Sequence, residues 1–545
     1  MKNLNIITMK KLIKTLLSLI AVFALVFSCT DLDEELQGQI TTDISLEGID
    51  TGESAGGGGD ALEGAYSQLR NTGTAGHTNW YSLQELTSDE MVVTTKGGDW
   101  YDGGWLIDFH QHNYKPVNPS VNNNWNSHYG AITACNELLD AGLDANGTAQ
   151  IRALRAYFFW RLMDMYGNIK LPTSAGQDAP QSDRATAFAF IESELLAAIG
   201  VSAVSAGMDL SGSALSSAKN SYRMNLYGAL GILANLYLNA EAYTGTPKWQ
   251  EAHDAADYII NNGGYSLCST GCKVPNLGKR NAVASDPDEL EGFPAVFAPN
   301  NTDNREHIFT VKYDGTSATG MVLSVMSLHY SSQATWNFDA QPWNGYSTLE
   351  DFYNSFENSD DRKTYSFVEG EQLDYGGSVL LDYATDDGDP ILNYTPYVNE
   401  IYPDGCRECG ARPAKFSYKQ FGKIDMDNDF PIVRLGGVYL MRAEAKARVL
   451  GNWDNVDTRN DMNLLRTRAK VSPYSAGQLT EAEFLAERGR EMFGEAVRRT
   501  DLIRFGRYND AWWEKPASDP TKNIMPIPFD AIQASGGSLT QNPGY

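Results

Sequence analysis

The sequence predicts a mainly α-helical protein. Its scaffold is a tetratricopeptide-like set of helical pairs, an α-α superhelix, with a long loop-rich insertion that carries small strands. Two observations predict this fold. Amphipathic helical patterns recur at about 60–264 and again at about 432–510. Between them, at about 265–431, the composition shifts to Gly, Asn, Asp, Pro and aromatic residues.

The first helices are predicted from apolar spacing and from their end signals. Short apolar patterns cover 60–70 and 121–142. A clearer helix begins near Ala149 and ends at Gly167-Asn168, two residues that tolerate the left-handed conformation of a C-cap. The next helix covers 183–199, and Ser182 or Asp183 is its candidate N-cap.

The strongest helical pair covers 221–242 and 247–262. Leu226, Leu230, Leu233 and Tyr237 recur at steps of four, three and four, which places them on one helical face. A turn at 245–247 then leads into a second amphipathic helix. A helix-turn-helix unit of this kind resembles a tetratricopeptide repeat, although no strict repeat is present.

The insertion is too long to be one structureless loop, so we expect short strands and helices within it. Ile308–Tyr313 and Ser378–Tyr383 are its strand-like runs. Helical patterns return at 434–450, 456–470 and 480–505. The sequence therefore predicts one domain over 60–545 that begins and ends with helices.

The N-terminus has the pattern of a lipoprotein signal peptide over residues 1–28. Basic residues precede a short apolar run, Leu16–Phe27, which is too short to span a membrane as a helix. The following Val26-Phe27-Ser28-Cys29 resembles the bacterial lipobox, which makes Cys29 the predicted lipid anchor. Residues 29–59 then form an acidic, Gly-rich lead-in, and its acidic start resembles the signal that sends lipoproteins to the outer cell surface.

The charge of the chain excludes some partners. The net charge is −26, and removal of residues 1–28 leaves 39 basic against 69 acidic residues, a net charge of −30. Such a surface repels phosphate backbones, so we expect no nucleic-acid binding.

The cysteines allow two interpretations. Cys268 and Cys272 form one close pair, Cys406 and Cys409 form another, and Cys135 is left over in a helical pattern. In an exported protein such pairs are more typical of disulfides than of zinc ligands, although two pairs that met in space would suit zinc.

The sequence does not predict an enzyme. Gly52-Glu-Ser54-Ala-Gly56 matches the nucleophile-elbow pattern, but no buried strand precedes it. There is no HExxH motif, no phosphate-binding glycine–lysine loop and no dinucleotide-binding fingerprint. We predict no cofactor. The acidic run Asp386-Asp387-Gly388-Asp389 offers oxygen ligands for a structural calcium ion, but its spacing fits no EF-hand and favours a solvated turn.

Four blocks of sequence together resemble the SusD/RagB family of nutrient-binding outer-membrane lipoproteins. They are Ile151–Pro172, Leu226–Leu267, Val433–Ala469 and Glu487–Tyr545, in the order that the family shows. One departure is Gly494-Glu495, where the family reads Phe-Glu-Gly. The resemblance implies a helical half that faces a SusC-like TonB-dependent transporter and a loop-rich half that faces a glycan. We interpret the charged residues of these blocks as structural, namely Glu444, Glu491, Glu495, Arg498, Arg499 and Asp501.

Two loops of the chain carry candidate glycan-binding residues. Sugars have apolar ring faces and polar edges, so their sites combine aromatic rings with carboxylate, amide or guanidinium groups. The loops 97–105 and 335–346 contain tryptophans among Gly, Asn and Asp residues. The candidates are Asp99, Trp100, Trp105, Trp336, Trp343 and Arg412. Each tryptophan has an alternative role in packing its own loop. Alternative functions are peptide binding by the same fold, surface glycoside hydrolysis and a structural role without ligand.

Overall fold

The computed structural model describes residues 60–280, 283–384, 388 and 390–545, which belong to one compact unit. Helices dominate this part of the chain. In chain order they are α1 Glu63–Asn71, α2 Trp80–Glu85, α3 Trp105–His110, α4 Pro119–Ala141, α5 Ala145–Tyr166, α6 Arg184–Ile199, α7 Leu226–Leu238, α8 Ala240–Thr244, α9 Trp249–Asn262, α10 Leu323–Ser327, α11 Gln333–Trp336, α12 Glu350–Asn354, α13 Asp361–Ser366, α14 Leu435–Leu450, α15 Val456–Arg468, α16 Glu481–Met492, α17 Arg498–Arg504 and α18 Phe529–Ala534.

The long helices stack in one continuous series. Helix α4 packs on α5, α5 on α6, α6 on α7, α7 on α9, α9 on α14 and α14 on α15. The tetratricopeptide-like scaffold that the sequence predicts is confirmed. The insertion takes no part in this series of helices. It connects α9 to α14, which are far apart in sequence but are packed side by side. Among the described helices, none combines the length and apolar character that crossing a lipid bilayer requires.

Small antiparallel ladders organise the non-helical segments. The strands are β1 Met91–Val93, β2 Ile169–Lys170, β3 Gln181–Ser182, β4 Lys273–Pro275, β5 Glu289–Glu291, β6 His307–Val311, β7 Tyr346–Thr348, β8 Phe367–Val368, β9 Gly370–Glu371, β10 Asn393–Tyr394, β11 Arg412–Pro413 and β12 Phe430–Arg434. They pair as β1 with β7, β2 with β3, β4 with β5, β6 with β12, β8 with β11 and β9 with β10. The β6–β12 pair joins the insertion to the scaffold, because β12 leads directly into α14.

Side-chain caps set several helix boundaries. The Asp144 carboxylate accepts a hydrogen bond from the Gly147 N–H and caps α5, so this helix begins four residues before the predicted start at Ala149. Asp183 caps α6 through the Thr186 N–H, as the sequence predicts. Asn225 caps α7, so the helix predicted from 221 begins at Leu226.

Two predicted elements differ in the structure. The helix predicted over 480–505 is divided into α16 and α17, because Gly494 and Ala496 have positive φ angles of 69° and 56° between them. The predicted strand Ser378–Tyr383 instead makes isolated bridges, in which Val379 pairs with Leu373. Ile308–Tyr313 is confirmed as a strand in its main part, β6.

Buried ion pairs lock the scaffold to the insertion. Glu491 on α16 lies 2.8 Å from Arg434 and 3.4 Å from Arg362, and it also pairs with Arg468. All four side chains are buried. Burial alone would raise the pKa of Glu491, but the three guanidinium groups outweigh it and lower the pKa well below its usual range.

A second group of buried charges ties α14 to α17. Glu444 lies 2.7 Å from Arg504 and 2.8 Å from Arg448. Burial would raise its pKa, but these two arginines lower it to about 2. Asp501 pairs with Arg504 and Arg488. The structural interpretation of these charged residues is confirmed.

Two disulfides staple the loop-rich part of the chain. Cys268 is joined to Cys272 and Cys406 to Cys409, with Cα–Cα distances of 5.2 Å in both cases. The disulfide interpretation is thereby confirmed over zinc ligation. Cys135 is a free thiol buried in the core.

Candidate functional site

The loop 97–105 is shaped by a tight turn at its start. The backbone N–H groups of Lys96 and Asp99 each donate to the carbonyl of the other, at 3.0 Å. Gly97 and Gly98 have φ angles of 60° and 92°, which the left-handed region allows without strain only for glycine. The turn leaves the Asp99 side chain exposed.

Trp100 is half-buried and fastens this loop to a second one. Its indole N–H donates to the Trp343 carbonyl at 2.6 Å, and its ring meets His77 and Tyr346 edge-on. Gly345 lies under the ring, where a Cβ atom would come within 2.4 Å of the Trp100 side chain. The alternative role of Trp100, in packing its own loop, is what the structure shows. A role for Trp100 in glycan binding stays a prediction.

Replacing Trp100 by alanine is expected to lower the free energy of unfolding by about 2–3 kcal/mol, because it removes packed ring area and a hydrogen bond between loops. Chemical denaturation would measure this change. Tyr101→Ala is the matched control, since the neighbouring Tyr101 ring is 44% exposed and its loss removes little buried area. Equal effects of the two substitutions would contradict the role in fastening the loop.

Trp105 and Arg412 are buried, which contradicts their prediction as glycan contacts. Trp105 is 7% exposed, begins α3 and packs edge-on against Phe109. Arg412 is 0% exposed and donates to the Asn344 side chain at 2.9 Å while its guanidinium covers the Tyr394 ring. Burial lowers the pKa of Arg412. Arg412 holds the insertion together, because its guanidinium donates to groups inside the protein, whereas Trp105 is a packed core residue.

Trp343 and Trp336 are both half-buried and pack against the core. The backbone carbonyl of Trp343 accepts the hydrogen bond from the Trp100 indole N–H. Trp336 ends α11, meets Tyr418 edge-on at 5.0 Å between ring centroids, and lines a cleft on one side of that helix. Of the predicted tryptophans, Trp336 is the one that lies in the wall of a large cleft.

A cleft of about 750 Å³ lies on another side of α11. We call it the tyrosine cleft. Its walls combine two tyrosine rings with amide and hydroxyl groups, and none of the lining residues that the structure describes carries a charge. These residues are Tyr330, Ser331, Gln333, Ala334, Asn337, Phe338, Gln341, Leu380, Tyr383 and Ala384. The Tyr383 side chain is 68% exposed, so its ring is open to a ligand.

Two contacts position the tyrosines of this cleft. The Tyr330 hydroxyl donates to the exposed Asp99 carboxylate, which brings loop 97–105 to the edge of the cleft. The buried His329 ring lies 3.2 Å from Asp382, and the Asp382 carboxylate accepts the Ala384 N–H at 2.8 Å. These contacts fix the backbone on both sides of Tyr383.

A second cleft, of about 710 Å³, contains Trp336. We call it the tryptophan cleft. Its walls are aromatic and charged. The residues that line it are Asn276, Gly278, Arg280, Asp286, Pro287, Leu290, Trp336, Tyr353, Asn358, Lys363, Thr364, Tyr365, Phe367, Val368, Glu369, Glu371, Gln372, Ala414, Ser417 and Tyr418.

Tyr330, Tyr383 and Tyr101 are not among the candidates predicted from the sequence. Tyr101 lies beside Tyr402, with ring centroids 5.4 Å apart and both rings about half exposed. Tyrosines in polar loops, considered together with the tryptophans, would have been a sequence signal for these residues. The contact between Tyr101 and Tyr402 has no sequence signal, because the two residues come from distant segments.

Some predicted sites lie outside the described residues. They are the lipid anchor Cys29 and, in the acidic run considered for calcium, Asp386, Asp387 and Asp389. The lipid anchor and the calcium site both stay predictions.

Helical pairs that carry open aromatic clefts define a ligand-binding protein, and comparisons show which known proteins it resembles. The SusD family model matches residues 296–545. The starch-binding protein SusD of Bacteroides thetaiotaomicron is 25% identical over 443 residues, which cover 73% of this chain and 72% of that protein. The resemblance to the SusD family that the sequence blocks predict is therefore confirmed.

Solved structures share the fold. A laminarin-binding SusD-like protein is 20% identical with a TM-score of 0.66, and the match covers 89% of this chain and 98% of that one. Surface glycan-binding protein A from Bacteroides thetaiotaomicron, in complex with laminarihexaose, is 18% identical with a TM-score of 0.66, and the match covers 88% and 98%.

Proposed function

We propose that this protein is a cell-surface glycan-binding lipoprotein that captures neutral oligosaccharides or polysaccharides in the tyrosine cleft. The observation that carries the proposal is the composition of this cleft. Two tyrosine rings supply flat apolar faces, Gln333, Asn337 and Gln341 supply amide groups for sugar hydroxyls, and the described residues of the lining are uncharged. Asp99 adds one carboxylate at the edge. Similar proteins are a starch-binding protein and a laminarin-binding protein, which supports a glycan as the class of ligand.

The cellular role follows from the family resemblance. We propose that Cys29 carries the lipid anchor in the outer membrane, that the protein faces the cell exterior, and that it delivers glycan to a SusC-like TonB-dependent transporter. We propose no catalytic step, so the protein releases the same molecule that it binds. Peptide binding and glycoside hydrolysis are the alternatives.

Binding to a polysaccharide panel tests the proposal. Affinity gels that contain starch, laminarin, inulin, levan or mixed-linkage β-glucan should retard the protein in at least one case. Tyr330→Ala combined with Tyr383→Ala should weaken that binding at least about tenfold, because buried aromatic anchors dominate the binding energy of such sites. Calorimetry on the same glycan gives the ratio.

A matched variant controls for the loss of an aromatic side chain. Phe529 on α18 is 49% exposed and lines neither cleft, so Phe529→Ala should leave glycan binding unchanged. Unchanged binding by the tyrosine double variant would remove the tyrosine cleft as the site. No retardation on any glycan, or release of reducing ends by the wild type, would contradict the function itself.

A further inference from the structure

The tryptophan cleft is nearly as large as the tyrosine cleft, and the proposed function leaves it without a role. It presents ring faces and carboxylates, the same two kinds of group that bind sugars. Trp336 and Tyr365 in its walls are both half-buried, so each ring keeps part of its surface open. Its size of about 710 Å³ is that of a small-ligand site.

The charges of the tryptophan cleft favour an uncharged ligand with hydroxyl groups. Arg280 and Asp286 neutralise each other across 2.8 Å. Lys363 lies over the Tyr353 ring at 4.3 Å from its centroid. Glu371 is exposed and, within the described part of the chain, makes no ion pair. A free carboxylate accepts hydrogen bonds from sugar hydroxyls and repels an anionic ligand.

The two clefts are separated by one thin wall. Helix α11 contributes Trp336 to one cleft and Gln333 to the other. The hairpin 372–380 also contributes to both clefts, since Gln372 lines the tryptophan cleft and Leu380 lines the tyrosine cleft. These two residues are in direct contact, because the Leu380 N–H donates to the Gln372 carbonyl at 2.8 Å. The wall has the width of one helix, about 10 Å with its side chains.

We infer that the tryptophan cleft is a second subsite for the same glycan, so that one long chain crosses α11 and occupies both clefts. This inference rests on the proposed function of the tyrosine cleft. When the first part of a chain is bound, the second part is held at a high effective concentration, and its binding adds to the affinity without a second encounter. The protein therefore selects for chain length. A disaccharide fills one cleft only.

Calorimetry with oligosaccharides of increasing length tests the inference. The probe series is made by partial hydrolysis of whichever panel polysaccharide the wild type binds most tightly. Chains of six or more sugars should bind at least about tenfold more tightly than disaccharides. Tyr365→Ala combined with Glu371→Ala should remove this gain and leave disaccharide binding within about twofold of the wild type.

Two further variants make the outcome unambiguous. Glu371→Gln changes one exposed carboxylate without threatening the fold and should remove part of the gain. Phe529→Ala should retain all of it. If the double variant keeps the full gain, or loses equal affinity for short and long chains, the second subsite is overturned while the tyrosine cleft stands. If the wild type binds no glycan of the panel, the proposed function fails and the inference fails with it.

Discussion

Replacing Glu491 by glutamine is expected to lower the free energy of unfolding by about 3–5 kcal/mol, because the substitution leaves three buried arginines without their shared counter-charge. Arg362, Arg434 and Arg468 all contact the Glu491 carboxylate, and none of these side chains is more than 1% exposed. A glutamine of nearly the same volume fills the space but carries no charge. Urea denaturation of the two proteins would measure the difference.

An exposed carboxylate gives the matched control. Glu357 lies 3.0 Å from Arg466, and its side chain is 54% exposed. Glu357→Gln should change the free energy of unfolding by less than about 1 kcal/mol, because water screens exposed ion pairs. A similar small effect for Glu491→Gln would show that the buried charges are not essential to the stability of the fold.

Mild acid is expected to destabilise the protein strongly through its buried histidines. Burial lowers the pKa of six of the seven histidines. The values are about 4 for His77, His110 and His307, about 3 for His128 and about 2 for His112, and the pKa of His329 is also lowered. In the unfolded chain each histidine takes up a proton below pH about 6.5. The unfolded state then binds more protons, so stability is present above pH 6.5 and is lost as the pH falls.

The carboxyl groups of Glu85 and Glu90 act in the opposite direction. Burial raises the pKa of Glu85 to about 7 and also raises that of Glu90. Both groups keep a proton in the folded state that the unfolded state has lost above pH about 4.5, so they add stability as the pH falls from about 7. Between pH 6.5 and 5.5 each of the five histidines with a value above costs about 1 kcal/mol, and Glu85 returns about as much. Burial also raises the pKa of Asp429 to about 6, so this carboxyl returns somewhat less over the same interval. The buried histidines outnumber these carboxyl groups, so the loss of stability is larger than the gain.

The net loss over this interval is therefore expected to be about 2 kcal/mol, a large part of the stability of an ordinary domain. Urea midpoints at pH 7.5, 6.5 and 5.5 would measure it, and refolding on return to pH 7.5 controls for irreversible damage. His128→Gln should reduce the slope, because it removes one buried imidazole. Equal midpoints at the three pH values would contradict the assignment of these histidines as neutral in the fold.

The proposed function makes use of the division between scaffold and insertion. The buried ion pairs hold α14, α16 and α17 rigidly, whereas both clefts are formed by loops and short elements of the insertion. Glycan-binding side chains can therefore vary without disturbing the scaffold. A rigid support also reduces the entropy that the loops lose when a ligand binds.

The sequence by itself determined the helical scaffold. Local signals specify α5 and α6, because apolar spacing, the Asp183 cap and the glycine at 167 act within a few residues of one another. The family blocks lie in the same elements. Both disulfides also join cysteines that are close in sequence, and they were predicted for that reason.

Only the tertiary structure decided which aromatic rings are open to a ligand. Trp100 and Arg412 come from loops with a polar composition, yet Trp343 and Asn344 bind their polar groups in the interior. The exposure of a ring depends on which distant segments pack against it, and composition carries no such information. The tyrosine cleft forms for the same reason, because its two tyrosines are brought together from separate parts of the chain by backbone contacts that neither segment specifies alone.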